Sequence, residues 1–158
     1  MYQPVKSLLR AIPFTAAVLL FTLSACDKDD DDNKEKIEYT LSATLDGASE
    51  VPAVTSDGMG TMSGTYNKNT NMLTWSIMWH QLSGPATNMH FHGPAEVTEP
   101  AGVAIGIPGF AQAAEGTVEG SATITEEQEA ELLGGKWYVN IHTDLNKAGE
   151  IRGQVSSQ

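Results

Sequence analysis

The chain has one cysteine in 158 residues, Cys26, which excludes any disulfide within it. Basic residues are scarce as well: nine Lys and Arg stand against twenty Asp and Glu, for a net charge of −11. A surface this acidic repels phosphate backbones and argues against a nucleic-acid partner. Only four basic residues follow Ile37: Lys68, Lys136, Lys147 and Arg152. No G-x-S-x-G elbow, P-loop or dinucleotide glycine motif occurs, so no nucleophile or nucleotide site is nominated and no catalysis is evident. No apolar run reaches the roughly 20 residues that a membrane-spanning helix needs.

What is present begins at the N-terminus. Lys6 and Arg10 form a short basic region, an apolar stretch runs from Ala11 to Leu23, and Ser24-Ala25 supplies small residues. This order describes a secretory signal peptide over residues 1–25. Leu23-Ser24-Ala25-Cys26 resembles the bacterial lipobox, in which the cysteine thiol takes a diacylglyceryl group and the chain is cut before it. Cys26 is therefore the expected lipidation site, carrying acyl chains such as palmitate. Each buried CH₂ contributes about 0.8 kcal/mol, so two or three chains suffice to hold a small domain on a membrane.

Residues 26–36, with Asp27-Lys28-Asp29-Asp30-Asp31-Asp32 at their head, contain nothing that packs after the cysteine and are expected to form an acidic tether. An acidic run behind a lipidated cysteine also resembles the signal that sends some lipoproteins to the outer face of the outer membrane. The expected location is thus the cell envelope, with the protein exposed on the surface. Loss of Lys6 and Arg10 with the signal takes the charge from −11 to −13.

Folding should start near Ile37 and occupy residues 37–158. Tyr39, Leu41, Ala43 and Leu45 alternate on one face, the period of a half-buried strand. Leu73, Trp75, Ile77 and Trp79 do the same within Met72–His80. Further strands fit Gly58–Tyr66, Met89–His92, Val103–Ile107, Thr117–Ile124, Trp137–His142 and Glu150–Val155, with turn residues between them. One helix interrupts them over about 125–133. Thr125 and Gln128 have the spacing of a capping box, Glu126 and Glu127 suit the positive end of the helix dipole, and Gly134-Gly135 ends it.

Four segments resemble the CHRD domain, a module named after chordin and also found in bacterial secreted proteins. They are Gly47-Ala48-Ser49-Glu50-Val51-Pro52-Ala53, Met89-His90-Phe91-His92-Gly93-Pro94-Ala95, Trp137-Tyr138-Val139-Asn140-Ile141-His142-Thr143 and Gly149-Glu150-Ile151-Arg152-Gly153-Gln154. The resemblance covers about residues 39–156. It implies a single β-rich extracellular module with no established enzymatic activity. Asp144-Leu145-Asn146-Lys147-Ala148 departs from the Pro-Gly turn often found there. The expected fold is all-β: an immunoglobulin-like or superoxide-dismutase-like antiparallel β-sandwich with one short helix.

Candidate sites are few. His90 and His92 share one face of their strand, and Met89 and Phe91 take the other. Tyr138, Asn140 and His142 likewise oppose Trp137, Val139 and Ile141. His80 lies opposite the Trp75 face. If the His90 and His142 strands are neighbours, three imidazoles converge in a geometry that suits copper or zinc. His-x-His on a strand resembles one piece of the copper/zinc superoxide dismutase site, although four histidines are too few for the whole of it. The alternative is that these histidines only hydrogen-bond to neighbours such as Asn140, Thr143 or Glu150. Asp144, Asn146 and Glu150 offer oxygens to calcium, but Lys147 and the spacing favour a plain turn. Glu50 and Arg152 are candidates for a structural pair. Two functions remain. One is a lipid-anchored binding or structural module facing a protein or glycan. The other is a small copper- or zinc-binding envelope protein using His90, His92 and His142.

Overall fold

The structure is a computed structural model and describes residues 36–158. The signal peptide, Cys26 and the acidic tether, apart from Lys36, lie outside the described residues. Nine strands and one helix follow in chain order: β1 (Glu38–Asp46), β2 (Met59–Asn67), β3 (Met72–His80), β4 (Ala86–His92), β5 (Val103–Gly106), β6 (Gly116–Thr123), α1 (Glu126–Leu133), β7 (Tyr138–Thr143), β8 (Ile151–Gln154) and β9 (Ser156–Ser157). All pairings are antiparallel, in the order β5-β4-β7-β8-β1-β2-β3-β6, with β9 added beside β1. The fold is all-β, as expected, with one short helix.

The sheet curls until its two halves face each other. Four strands separate β4 from β3 in the order, yet the Phe91 and Trp75 rings meet at 5.2 Å. The alternation read from the sequence becomes the core: Leu41, Leu45, Leu73, Ile77, Trp79, Phe91 and Ile141 are at most 1% exposed. Burying each such side chain contributes about 1.5–3 kcal/mol. The other face of β1, β2 and β3 stays wet, with Thr, Ser and Met side chains outward.

The capping box closes α1 as its residues predict. Gln128 N–H donates to Thr125 Oγ1 at 3.2 Å, and Thr125 N–H donates to Gln128 Oε1 at 3.0 Å. The helix seats Leu132 in the core. It also offers Glu131 to Trp137 Nε1 at 2.9 Å and Glu129 to the Tyr66 hydroxyl at 2.7 Å.

The largest shift of a boundary is in β4, and one strand is added. β4 starts at Ala86 rather than Met89, because backbone pairing with β7 continues past the apolar residues to Ala86 opposite Thr143. β9 has no sequence signature at all. Ser156 and Ser157 form a strand because β1 leaves them an edge to pair with.

Candidate functional site

β4 and β7 are neighbours, with His90 opposite Asn140 and His92 opposite Tyr138. Directly opposite residues point to one face, so His90, His92, Tyr138, Asn140 and His142 share the face turned away from Phe91, Val139 and Ile141. The β7 part of that face is not open to water. Every residue of β7 is buried, because two loops cross over the polar side: 93–102 after β4 and 144–150 after β7.

Each loop fixes one imidazole. His92 Nδ1 lies 3.0 Å from the Ala101 carbonyl, and His142 Nδ1 lies 3.0 Å from the Lys147 carbonyl. A carbonyl only accepts, so both Nδ1 atoms carry the hydrogen and both Nε2 atoms present a lone pair. Loop 93–102 is further held by the Ala101 N–H donating to the Tyr138 hydroxyl at 3.1 Å. His90 completes the group: its Nδ1 lies 3.1 Å from His142 Nε2. One ring nitrogen from each of His90, His92 and His142 falls within 4.8 Å of the other two. His92 Nε2 is buried and has no hydrogen-bond partner.

Burial disfavours the charged form of His90 and His142. Burial, reinforced by the adjacent His142 and His92 rings, pushes His90 down to about 4. Burial also lowers His142; the Lys147 carbonyl opposes that shift and His92 adds to it. Both are therefore neutral imidazoles at neutral pH, able to share the one hydrogen between His90 Nδ1 and His142 Nε2.

The same face carries three features whose surroundings sequence reasoning did not foresee. The first is a stack. His92 lies on Tyr138 at 4.9 Å with the rings 4° from parallel, and the Arg152 guanidinium sits 3.5 Å from the centre of the Tyr138 ring. Because β7 runs between β4 and β8, the Tyr138 ring separates Arg152 from His92. The second is the fully buried Glu150 carboxylate. It accepts from Ser56 Oγ at 2.7 Å, Ser83 N at 2.7 Å, Ser83 Oγ at 2.6 Å and Thr143 Oγ1 at 2.6 Å. Glu150 is thereby withdrawn from the calcium-type set considered with Asp144 and Asn146. The loop is a turn instead, in which the Asn146 carbonyl accepts from Thr143 N and Gly149 N at 3.3 and 3.1 Å. His80, the fourth histidine, is exposed and meets only Gln81 Oε1, at 3.2 Å.

The third feature is Glu50. It is 8% exposed, and its Oε1 has no hydrogen-bond partner. Arg152, considered above as its ion-pair partner, donates to the Glu96 carbonyl at 3.2 Å and to Gln154 Oε1 at 3.3 Å. Burial pushes Glu50 up to about 7, against the pull of the Arg152 charge, the Asn140 amide and the Val51 N–H. A carboxyl raised in the folded state stabilises the fold below its unfolded value near 4.5, and that contribution is lost as pH rises through about 7. Glu50→Gln is therefore expected to be more stable than wild type at pH 8, by about 1–2 kcal/mol, and to lose that advantage at pH 5. Urea unfolding at the two pH values checks it; equal shifts at both would reject a buried titrating carboxyl.

Among the described residues, His90, His92 and His142 are the group in which three or more such donors gather. In comparison with known proteins, the family model described as the CHRD domain matches residues 41–155. No curated protein and no solved structure matches the chain.

Proposed function

Because this chain belongs to the CHRD-domain family, we propose that it is a non-catalytic binding or structural module of the cell envelope, anchored by lipid at Cys26. In this reading the acidic segment 27–36 spaces the domain from the outer membrane and presents it at the cell surface. The observation that carries the proposal is the extent of the match: residues 41–155 take in most of β1 and all of β2 to β8. The folded part is one module, and its sequence nominates no nucleophile.

The order of parts supports this. The lipobox-like Leu23-Ser24-Ala25-Cys26 stands before the acidic run, and β1 begins at Glu38. An acylated cysteine supplies membrane affinity through its chains alone, so the domain needs no membrane-binding surface of its own. Its recognition surface is then free for a protein or glycan, with loops 93–102 and 144–150 as the part built to hold a shape. Nucleic acid is disfavoured by the net charge of −11.

The test follows the lipid. Cells expressing the full chain are fed a clickable palmitate analogue. The expected result is label on wild type and none on Cys26→Ser. Label that persists on Cys26→Ser would remove the anchor from the proposal. Protease added to intact cells is expected to digest the domain; complete protection would place it on the inner side of the outer membrane.

A further inference from the structure

We propose that His90 Nδ1, His92 Nε2 and His142 Nε2 are three ligands of a transition-metal ion of the copper or zinc class, with a fourth position left open on the His90 side. This is independent of the lipid anchor.

The purely structural alternative explains part of the cluster. A hydrogen bond from His90 Nδ1–H to His142 Nε2 accounts for their 3.1 Å separation. It does not account for His92, whose Nε2 lone pair is buried without a partner. An orphaned buried acceptor costs stability, and native proteins contain few of them. One ion among the three nitrogens satisfies all of them together.

The geometry fits such an ion. Ligands at ordinary zinc–imidazole distances in a tetrahedron stand about 3.3 Å apart. The His90–His142 pair is already there, and one nitrogen from each of the three rings lies within 4.8 Å of the other two. Closing the set requires the His92 ring to move inward.

The surroundings fit as well. A metal-bound imidazole almost always donates its other ring N–H to a carbonyl or carboxylate, which fixes ring and tautomer. His92 and His142 do so to the Ala101 and Lys147 carbonyls. The lone pairs are thus set before any ion arrives. The nearest guanidinium, Arg152, is turned onto the Tyr138 ring, which stands between it and His92.

Donor chemistry selects the class of ion. Three neutral imidazoles with no carboxylate among them suit copper and zinc; calcium and magnesium require oxygen. His92 and His142 are 8% and 9% exposed, whereas His90 is only partly buried. The fourth position therefore opens toward His90, where a water or an external ligand completes the shell.

The experiment uses the full chain in detergent, untagged, with Cys26→Ser in every sample so that no thiol competes. Copper(II), zinc and calcium are offered separately, the protein is dialysed, and metal per chain is measured beside the melting temperature. Wild type and the exposed-site control His80→Ala are expected to retain about one equivalent of copper or zinc, no calcium, and to melt higher when loaded. His90→Ala and His92→Ala are expected to retain under about a tenth of that and to show no rise. His90 is partly exposed, so His90→Ala decides the matter if His92→Ala fails to fold. Folded wild type that retains no copper or zinc overturns the proposal, and so does equal retention by His90→Ala. With copper bound, nitrogen hyperfine structure in the electron paramagnetic resonance spectrum is expected from wild type; its absence would move the ion elsewhere.

Discussion

Glu150→Gln is expected to lower the stability of the domain by about 3 kcal/mol at pH 7. Glu150 is 0% exposed, yet its charge is held entirely by neutral donors: the hydroxyls of Ser56, Ser83 and Thr143 and the Ser83 N–H. Hydrogen bonds to a charged group are worth roughly 1.5–3 kcal/mol each to stability. Glutamine keeps one accepting oxygen but turns an NH₂ toward groups that were donating. The hydroxyls can rotate to accept; the Ser83 N–H cannot. Burial alone would raise the Glu150 carboxyl, but these bonds outweigh it and bring it down to about 2. A depressed carboxyl contributes stability above its unfolded value near 4.5 and loses it as pH falls toward 2. Urea titrations should therefore show a large gap between wild type and Glu150→Gln at pH 7, narrowing steadily at pH 4 and pH 3. A gap that does not change with pH would mean that the carboxylate charge is not what the donors hold.

Phe91→Ala should cost about as much or more, roughly 3–5 kcal/mol. Phe91 stands between His90 and His92 in sequence but faces the opposite side of the sheet. There it is 0% exposed, edge-on to Trp75 at 5.2 Å and tilted against Trp137 at 6.1 Å. Its ring is the contact through which β4 reaches across to β3. Truncation leaves a void lined by two indoles that the rest of a curled sheet cannot collapse to fill. Phe91→Leu retains most of the volume and is expected to cost about 1–2 kcal/mol. Denaturant midpoints at constant slope measure both. If alanine and leucine cost the same, the aromatic contact between the two halves is not what holds them.

How much of this was legible depended on the range of each interaction. The alternation of Leu73, Trp75, Ile77 and Trp79 is local and survives intact. So does the capping box, since Thr125 and Gln128 bond within one turn. The shared face of His90 and His92 is a consequence of strand geometry alone. Their meeting with His142 required β4 beside β7, which no short segment encodes. What could not be read was the covering of that face. Alternation marked Tyr138, Asn140 and His142 as outward, and they are outward of the core, but loops 93–102 and 144–150 bury them. Arg152 was legible in part. Its charge acts on Glu50, as its acidic surroundings suggested, while its guanidinium lies on the Tyr138 ring and donates to the Glu96 carbonyl. Glu150 looked like a loop oxygen, whereas its donors Ser56 and Ser83 come from distant connections that only the closed fold brings to it.

The seam between the two halves of the sheet has a kinetic consequence. β1 meets β8 at a single pair, Asp46 with Arg152, and meets β9 through Leu41–Ser157 and Ser42–Ser156. Thr40 and Gln158 exchange backbone hydrogen bonds at 3.1 and 2.9 Å. The residues joined there are as much as 118 apart in the chain, from Thr40 to Gln158. β1, β2 and β3 can pair in order as they emerge, and β4 can hold β5, but neither half can dock on the other until β8 and β9 arrive. Contacts this distant slow folding, because the entropy of closing so long a loop comes before its reward. The final strands act as a latch, and a chain not yet complete at its C-terminus holds that latch undone.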